Sequence, residues 1–210
     1  MKKIILCLTL FISTSIIAQS DKFNAAMSSS IKEYEAAKTA EENIAIAQKF
    51  IRIAEAEKTE WLPYYYAATI KAKMSIMGIG GDKDEVADEA QSLIDKAEAL
   101  SKNNCEILVI KSMIATAKMI VDPQNRYMEF GTLINKYLAE AKKADANNPR
   151  PYILESSNLV NTPEQYGGGC NAAKPIAQKA MELFNSFKPA SEIHPNWGKE
   201  MVEQILKNCK

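Results

Sequence analysis

Residues 147–170 read NNPRPYILESSNLVNTPEQYGGGC, from Asn147 to Cys170. Pro149, Pro151 and Pro163 punctuate the stretch, and Gly167, Gly168 and Gly169 end it. Proline lacks an N–H and is harmless only in a first helical turn, so Pro149 and Pro151 predict the opening of a short helix over 150–159. Asn161, Thr162 and Pro163 stop that helix, and the glycines lead into the next one. Helices therefore end and restart here, and the chain on either side reads as more of the same element.

From residue 22 onward apolar residues recur at steps of three and four, and no alternating β-branched run competes with that period. Helices are predicted over 22–38, 41–58, 60–77, 84–101, 104–121, 125–146 and 173–187, with a last one opening at Pro195. Thr39 followed by Glu41 and Glu42, and Asp82 followed by Asp84 and Glu85, mark two helix starts by capping and by charge at the positive dipole end. The helix over 104–121 is apolar on more than one side, which predicts that it is sandwiched between neighbours. The fold class is all-α.

The first twenty residues, MKKIILCLTLFISTSIIAQS, have two lysines, an apolar run and a small-residue end, the composition of a secretory signal peptide. Cleavage is expected after Ala18, or as late as Ser20, leaving 21–210 as a single helical domain. Leu6 before Cys7 does not suit a lipid-anchor site, so a soluble periplasmic or secreted protein is expected, without stable membrane insertion. Without Lys2 and Lys3, the 26 basic residues fall to 24 against 26 acidic ones, a net charge of −2. That balance gives no electrostatic case for nucleic acid.

Three cysteines follow the signal: Cys105, Cys170 and Cys209. Cys105 opens an apolar helix and reads as a small buried hydrophobe. Cys170 precedes one helix and Cys209 ends the next, so antiparallel packing brings them together as a disulfide.

Aligning the second helix of each successive pair gives a repeating small and apolar pattern: Ala47, Ile51, Ala54; Ala90, Ile94, Ala97; Tyr137, Ala141, Ala144; Ala177, Met181, Phe184. Pro149 and Pro189 follow the last two by five residues. This phase resembles the later part of a tetratricopeptide-type helical hairpin, with units spaced by roughly 40 to 47 residues instead of about 34. NPRPYILES, TPEQYGGG and HPNWGKE likewise resemble the C-terminal block of small exported tetratricopeptide-like (TPR-like) proteins of Gram-negative bacteria. The resemblance implies a right-handed TPR-like α-solenoid of about four helical hairpins plus a C-terminal capping helix, and it brings no catalytic residues.

The residues offer little chemistry. His194 stands alone before Pro195, where a cap or turn role is expected, and one histidine with scattered cysteines does not make a zinc site. No metal, cofactor or catalytic set is expected, and the protein is read as non-enzymatic. The acidic groups around 82–98 fit solvated helix faces.

The candidate contacts are Arg150, Tyr152, Asn158, Tyr166, Trp61, Tyr64 and the loop Gly167, Gly168 and Gly169. Three glycines before a helix either expose N–H groups to an anion, with Arg150 folding back toward them, or form a loop for close packing. Trp61, Tyr64, Tyr65 and Tyr66 spread around one helix, so at least one tyrosine faces away from the core. In a hairpin stack Arg150, Tyr152 and Asn158 line the concave groove. The expected function is a binding or scaffold protein recognising a peptide or protein partner in that groove. The alternative is a periplasmic small-molecule binder serving a transport system, its pocket formed by Arg150, Tyr166 and the glycine loop.

Overall fold

A computed structural model describes the backbone of residues 5–209 and the side chains of 21–209. Residues 1–4 of the expected export signal lie outside the described residues, as do the side chains of its remainder.

The elements in order are α1 (Ile5–Ala36), α2 (Ala40–Ala56), α3 (Trp61–Met77), α4 (Lys83–Leu100), α5 (Cys105–Met119), α6 (Pro123–Ala144), α7 (Arg150–Asn161), a 3-10 turn (Glu164–Tyr166), α8 (Cys170–Ser186) and α9 (Lys199–Asn208). No strand occurs among the described residues. No helix there is long and apolar enough to cross a membrane.

Each start has a local cause. Thr39 and Glu42 form a reciprocal capping box on α2: the Glu42 N–H donates to Thr39 Oγ1 at 3.2 Å and the Thr39 N–H donates to Glu42 Oε2 at 3.0 Å. Asp82, Asn104 and Asp122 cap α4, α5 and α6 through side-chain oxygens that accept first-turn N–H groups. Gly78 ends α3 at φ 70°, a left-handed conformation that glycine adopts without a Cβ clash.

Beyond the leader, two helix starts differ most from the sequence expectation. Helix α8 begins at Cys170, before Ala173, and carries Pro175 inside it, where the ring removes the N–H that would return to the Asn171 carbonyl. Helix α9 begins only at Lys199, because residues 188–198 run as an irregular strap with Gly198 at φ 110°.

Every helix packs against the next in the chain. In addition α3 touches α5, α5 touches α7, and α7 touches α9, so alternate helices share one layer while α4, α6 and α8 sit outside it. The outer helices approach closely because their contact faces are alanines: Ala47, Ala54, Ala90, Ala97, Ala141, Ala177 and Ala180 are fully buried. The central helices α3 and α5 are enclosed on most sides, as the apolar sequence of α5 requires. One core runs from Phe23 to Leu154 and Ile193, and a smaller one joins Ile153, Ala177, Ala180 and Val202 between α7, α8 and α9.

Candidate functional site

Because α3, α5 and α7 share a layer, the starts of α5 and α7 face the same strap as the start of α3. The strap is tied to α3 by two hydrogen bonds: the Tyr66 hydroxyl donates to the Ile193 carbonyl at 3.0 Å, and Trp197 Nε1 donates to the Tyr65 hydroxyl at 2.8 Å. Between these elements lies a cleft of about 420 Å³. Trp61 of α3 lines it, with Lys102 and Glu106 around the start of α5, Asp145, Asn148 and Arg150 before and at the start of α7, and Phe187, Lys188, Pro189, His194 and Pro195 of the strap and its approach.

The floor is a buried polar network. Arg150 is fully buried and grips Glu106 with two groups: Nε donates to Oε2 at 2.6 Å, and Nη2 donates to Oε1. Asn148 Nδ2 donates to the same Oε1 at 2.6 Å, and its own Oδ1 accepts the Arg150 backbone N–H at 3.0 Å. The guanidinium carbon lies 4.6 Å from the Phe187 ring centre and 5.8 Å from that of Trp197, so the cation is stacked as well as paired. Burial acts to lower the Arg150 pKa, but the hydrogen bonds and charge of Glu106 outweigh it and hold the group cationic. Burial, helped by the Glu106 charge, pushes the Tyr65 and Tyr66 hydroxyls up, and both stay protonated. The Cys105 thiol beside them is also pushed up, first by burial, so it is an unreactive apolar group.

At the mouth, His194 Nδ1 shares a 2.8 Å hydrogen bond with Ser191 Oγ, and the ring meets Trp61 edge-on at 5.9 Å. Burial lowers its pKa against an opposing pull from Glu106, which favours neutral imidazole. The expected turn role is met by Ser191, yet the ring also lines the cleft.

Several expected contacts fall elsewhere. Arg150 is not an exposed groove residue, and it does not approach the glycine loop: the two sit at opposite ends of α7, about 16 Å apart at 1.5 Å per residue. Nor are the glycine N–H groups available to an anion. Those of Gly167, Gly168 and Gly169 donate to the carbonyls of Glu164, Pro163 and Leu159 at 2.9, 3.2 and 2.8 Å. The loop is a packing device, because a Cβ on Gly168 would lie 2.1 Å from the Thr162 carbonyl oxygen. Gly168→Ala is expected to destabilise by about 1–3 kcal/mol, the usual cost of forcing atoms into a packed site. Thermal unfolding at an unchanged midpoint would show that the Thr162 turn simply moves aside.

Tyr166 points into solvent at 70% exposure, away from any pocket with Arg150. Tyr152 is half-buried beneath Lys142, whose Nζ lies 4.7 Å from the ring centre. Asn158 is also half-buried, as is Tyr64, which packs against the edge of the core with Lys96 Nζ 5.8 Å from its ring centre. Of the candidates only Trp61 and Arg150 line the cleft. Sequence reading missed Glu106, Lys102, Phe187 and Lys188. The one available signal was Glu106 itself, an acid set against the apolar run that follows Cys105.

Cys170 and Cys209 form a disulfide, so α9 is fastened back onto the start of α8. An all-helical protein closed by a disulfide and carrying an amphipathic cleft of small-ligand size is the class that this fold and site define. No family model matches the chain, and no curated protein matches it. Among solved structures it is similar to the HusA haemophore from Porphyromonas gingivalis, with a TM-score of 0.81 and 31% identity over 90% of this chain and 92% of that one. The chain belongs to the family of that haemophore.

Proposed function

We propose that this chain is an exported, non-enzymatic binding protein that carries a haem-type tetrapyrrole in the cleft between Trp61, Phe187 and His194. Membership of a haemophore's family supports the ligand class. The observation that carries the placement is the chemistry of the lining: aromatic and proline surface on Trp61, Phe187, Pro189 and Pro195, with Lys102 and Lys188 beside it. When bound, the group supplies a flat apolar ring, an iron centre and two carboxylates. Trp61 and Phe187 offer it ring surface, His194 is the imidazole of the cleft, and the buried Arg150–Glu106 pair keeps the floor rigid.

Of the two functions expected from sequence, these observations support the small-molecule binder. A peptide groove would need Arg150, Tyr152 and Asn158 exposed together, and Arg150 is buried. A TPR-like hairpin stack remains the finer reading of the fold, supported by the contacts of α3 with α5 and α5 with α7. Export is supported by the leader-like first twenty residues and by the Cys170–Cys209 bridge, since disulfides persist in oxidising compartments.

The test is titration with haemin, read by Soret absorbance and tryptophan quenching. Trp61 and Trp197 are the chain's two tryptophans; the first lines the cleft and the second stacks near Arg150. Saturable binding is expected, weakened roughly tenfold by Trp61→Ala through loss of aromatic contact. Haemin binding left intact by both Trp61→Ala and Phe187→Ala would move the ligand out of this cleft, and absence of binding would end the proposal.

A further inference from the structure

We infer that the cleft contains a carboxylate-binding subsite formed by Lys102, Lys188 and the free Nη1 of Arg150, so that it selects its ligand by an acidic edge. The inference rests on the cleft being the ligand site and adds what part of the ligand it reads.

Arg150 carries five N–H donors, and Glu106 takes that of Nε and one of the two on Nη2. Nη1 has no partner among the described residues, although the side chain is fully buried at the cleft floor. A buried donor without a partner is costly, and native structures rarely keep one without a reason. A ligand oxygen that displaces the side chains covering Nη1 supplies the missing acceptor. Lys102 and Lys188 line the same cleft, are exposed, and have no carboxylate within 4.0 Å among the described residues. Other lysines of the fold do find acids: Lys71, Lys111, Lys118 and Lys142 are all paired at 2.5 Å.

Two carboxylates also face the cleft: Glu106 neutralises Arg150, and Asp145 still leaves the two lysines one positive charge in excess. Glu106 is held by Arg150 and Asn148, and Asp145 Oδ1 accepts the Asn147 N–H at 3.0 Å. The start of α3 adds to the positive side, because Glu60 makes no side-chain cap there. An amphipathic acid, apolar toward Trp61 and Phe187 and anionic toward the lysines, meets each part of this lining.

Haemin and haemin dimethyl ester, which differ only in their carboxylates, test the inference in wild type and in the double variant Lys102→Gln with Lys188→Gln. Both lysines are exposed and unpaired, so the variant is expected to unfold like wild type. The ester is expected to bind wild type at least tenfold more weakly than haemin. The double variant is expected to lose that preference while binding the ester as wild type does. Equal binding of haemin and ester by wild type would overturn the carboxylate subsite and leave the tetrapyrrole reading standing. An equal loss of both ligands in the double variant would also overturn it, since the lysines would then act on the whole site. Failure of wild type to bind either ligand would overturn both inferences.

Discussion

Arg150→Ala is expected to lower the unfolding free energy by about 3–5 kcal/mol, the range for removing one partner of a buried ion pair. At about 2–4 °C per kcal/mol for a chain of this size, the thermal midpoint falls by roughly 6–20 °C. The loss has three parts. The Glu106 carboxylate keeps only Asn148 and a long 3.5 Å contact from the Tyr65 hydroxyl. The stacking of the guanidinium on Phe187 and Trp197 disappears. A void replaces a large side chain that is fully buried between α5, α7 and the strap.

The double change Arg150→Met with Glu106→Leu separates charge from packing. If desolvated charge is the main cost, the double variant recovers much of what Arg150→Ala alone loses, because neither ion is left stranded. Denaturant unfolding followed by helical circular dichroism measures all three proteins. A wild-type midpoint for Arg150→Ala would mean that the pair does not bind the layers together, and the rigid cleft floor would lose its physical basis.

This pair also shows where sequence reading stops. The punctuation of residues 147–170 was legible because proline and glycine act locally: Pro149 and Pro151 open α7, and Thr162 ends it. The alanine faces of the outer helices were legible because 3.6-residue periodicity is a property of each helix alone. The Cys170–Cys209 pairing followed from two helices and their ends. Arg150 to Glu106 is different, since the two lie 44 residues apart and meet only once α5 and α7 share a layer. Residues 102 and 188 look like any surface lysines in the chain, and what distinguishes them is an unpaired position beside one cleft. The glycine loop was left open between an anion site and a packing turn for a related reason. Composition shows that N–H groups can be exposed, but not that Glu164, Pro163 and Leu159 already accept from them.

Replacing both Cys170 and Cys209 with serine is expected to cost about 4 kcal/mol, the loop-closure entropy for a crosslink spanning 39 residues. The effect should concentrate in one region. Helix α9 has ten residues and buries only Val202 completely, and a helix this short is marginal without tertiary support. Its remaining anchors are partial contacts of Ile205 and Leu206 on the small second core. Buried Cys105, its thiol pushed up by burial, does not compete for the bridge in the native fold. Loosening α9 frees Gly198 and Trp197 just before it, and Trp197 is the side chain that ties the strap to Tyr65 and stacks near Arg150. Amide exchange should therefore accelerate in α9 and in residues 187–198, while α2 to α5 keep wild-type protection. Haemin affinity should fall with it, because the strap carries Lys188 and His194 and Phe187 leads into it. Uniform acceleration across all helices would mean that the bridge stabilises only the global fold. Unchanged exchange in the strap would show that the Tyr66–Ile193 and Trp197–Tyr65 hydrogen bonds hold the cleft wall without help from the disulfide.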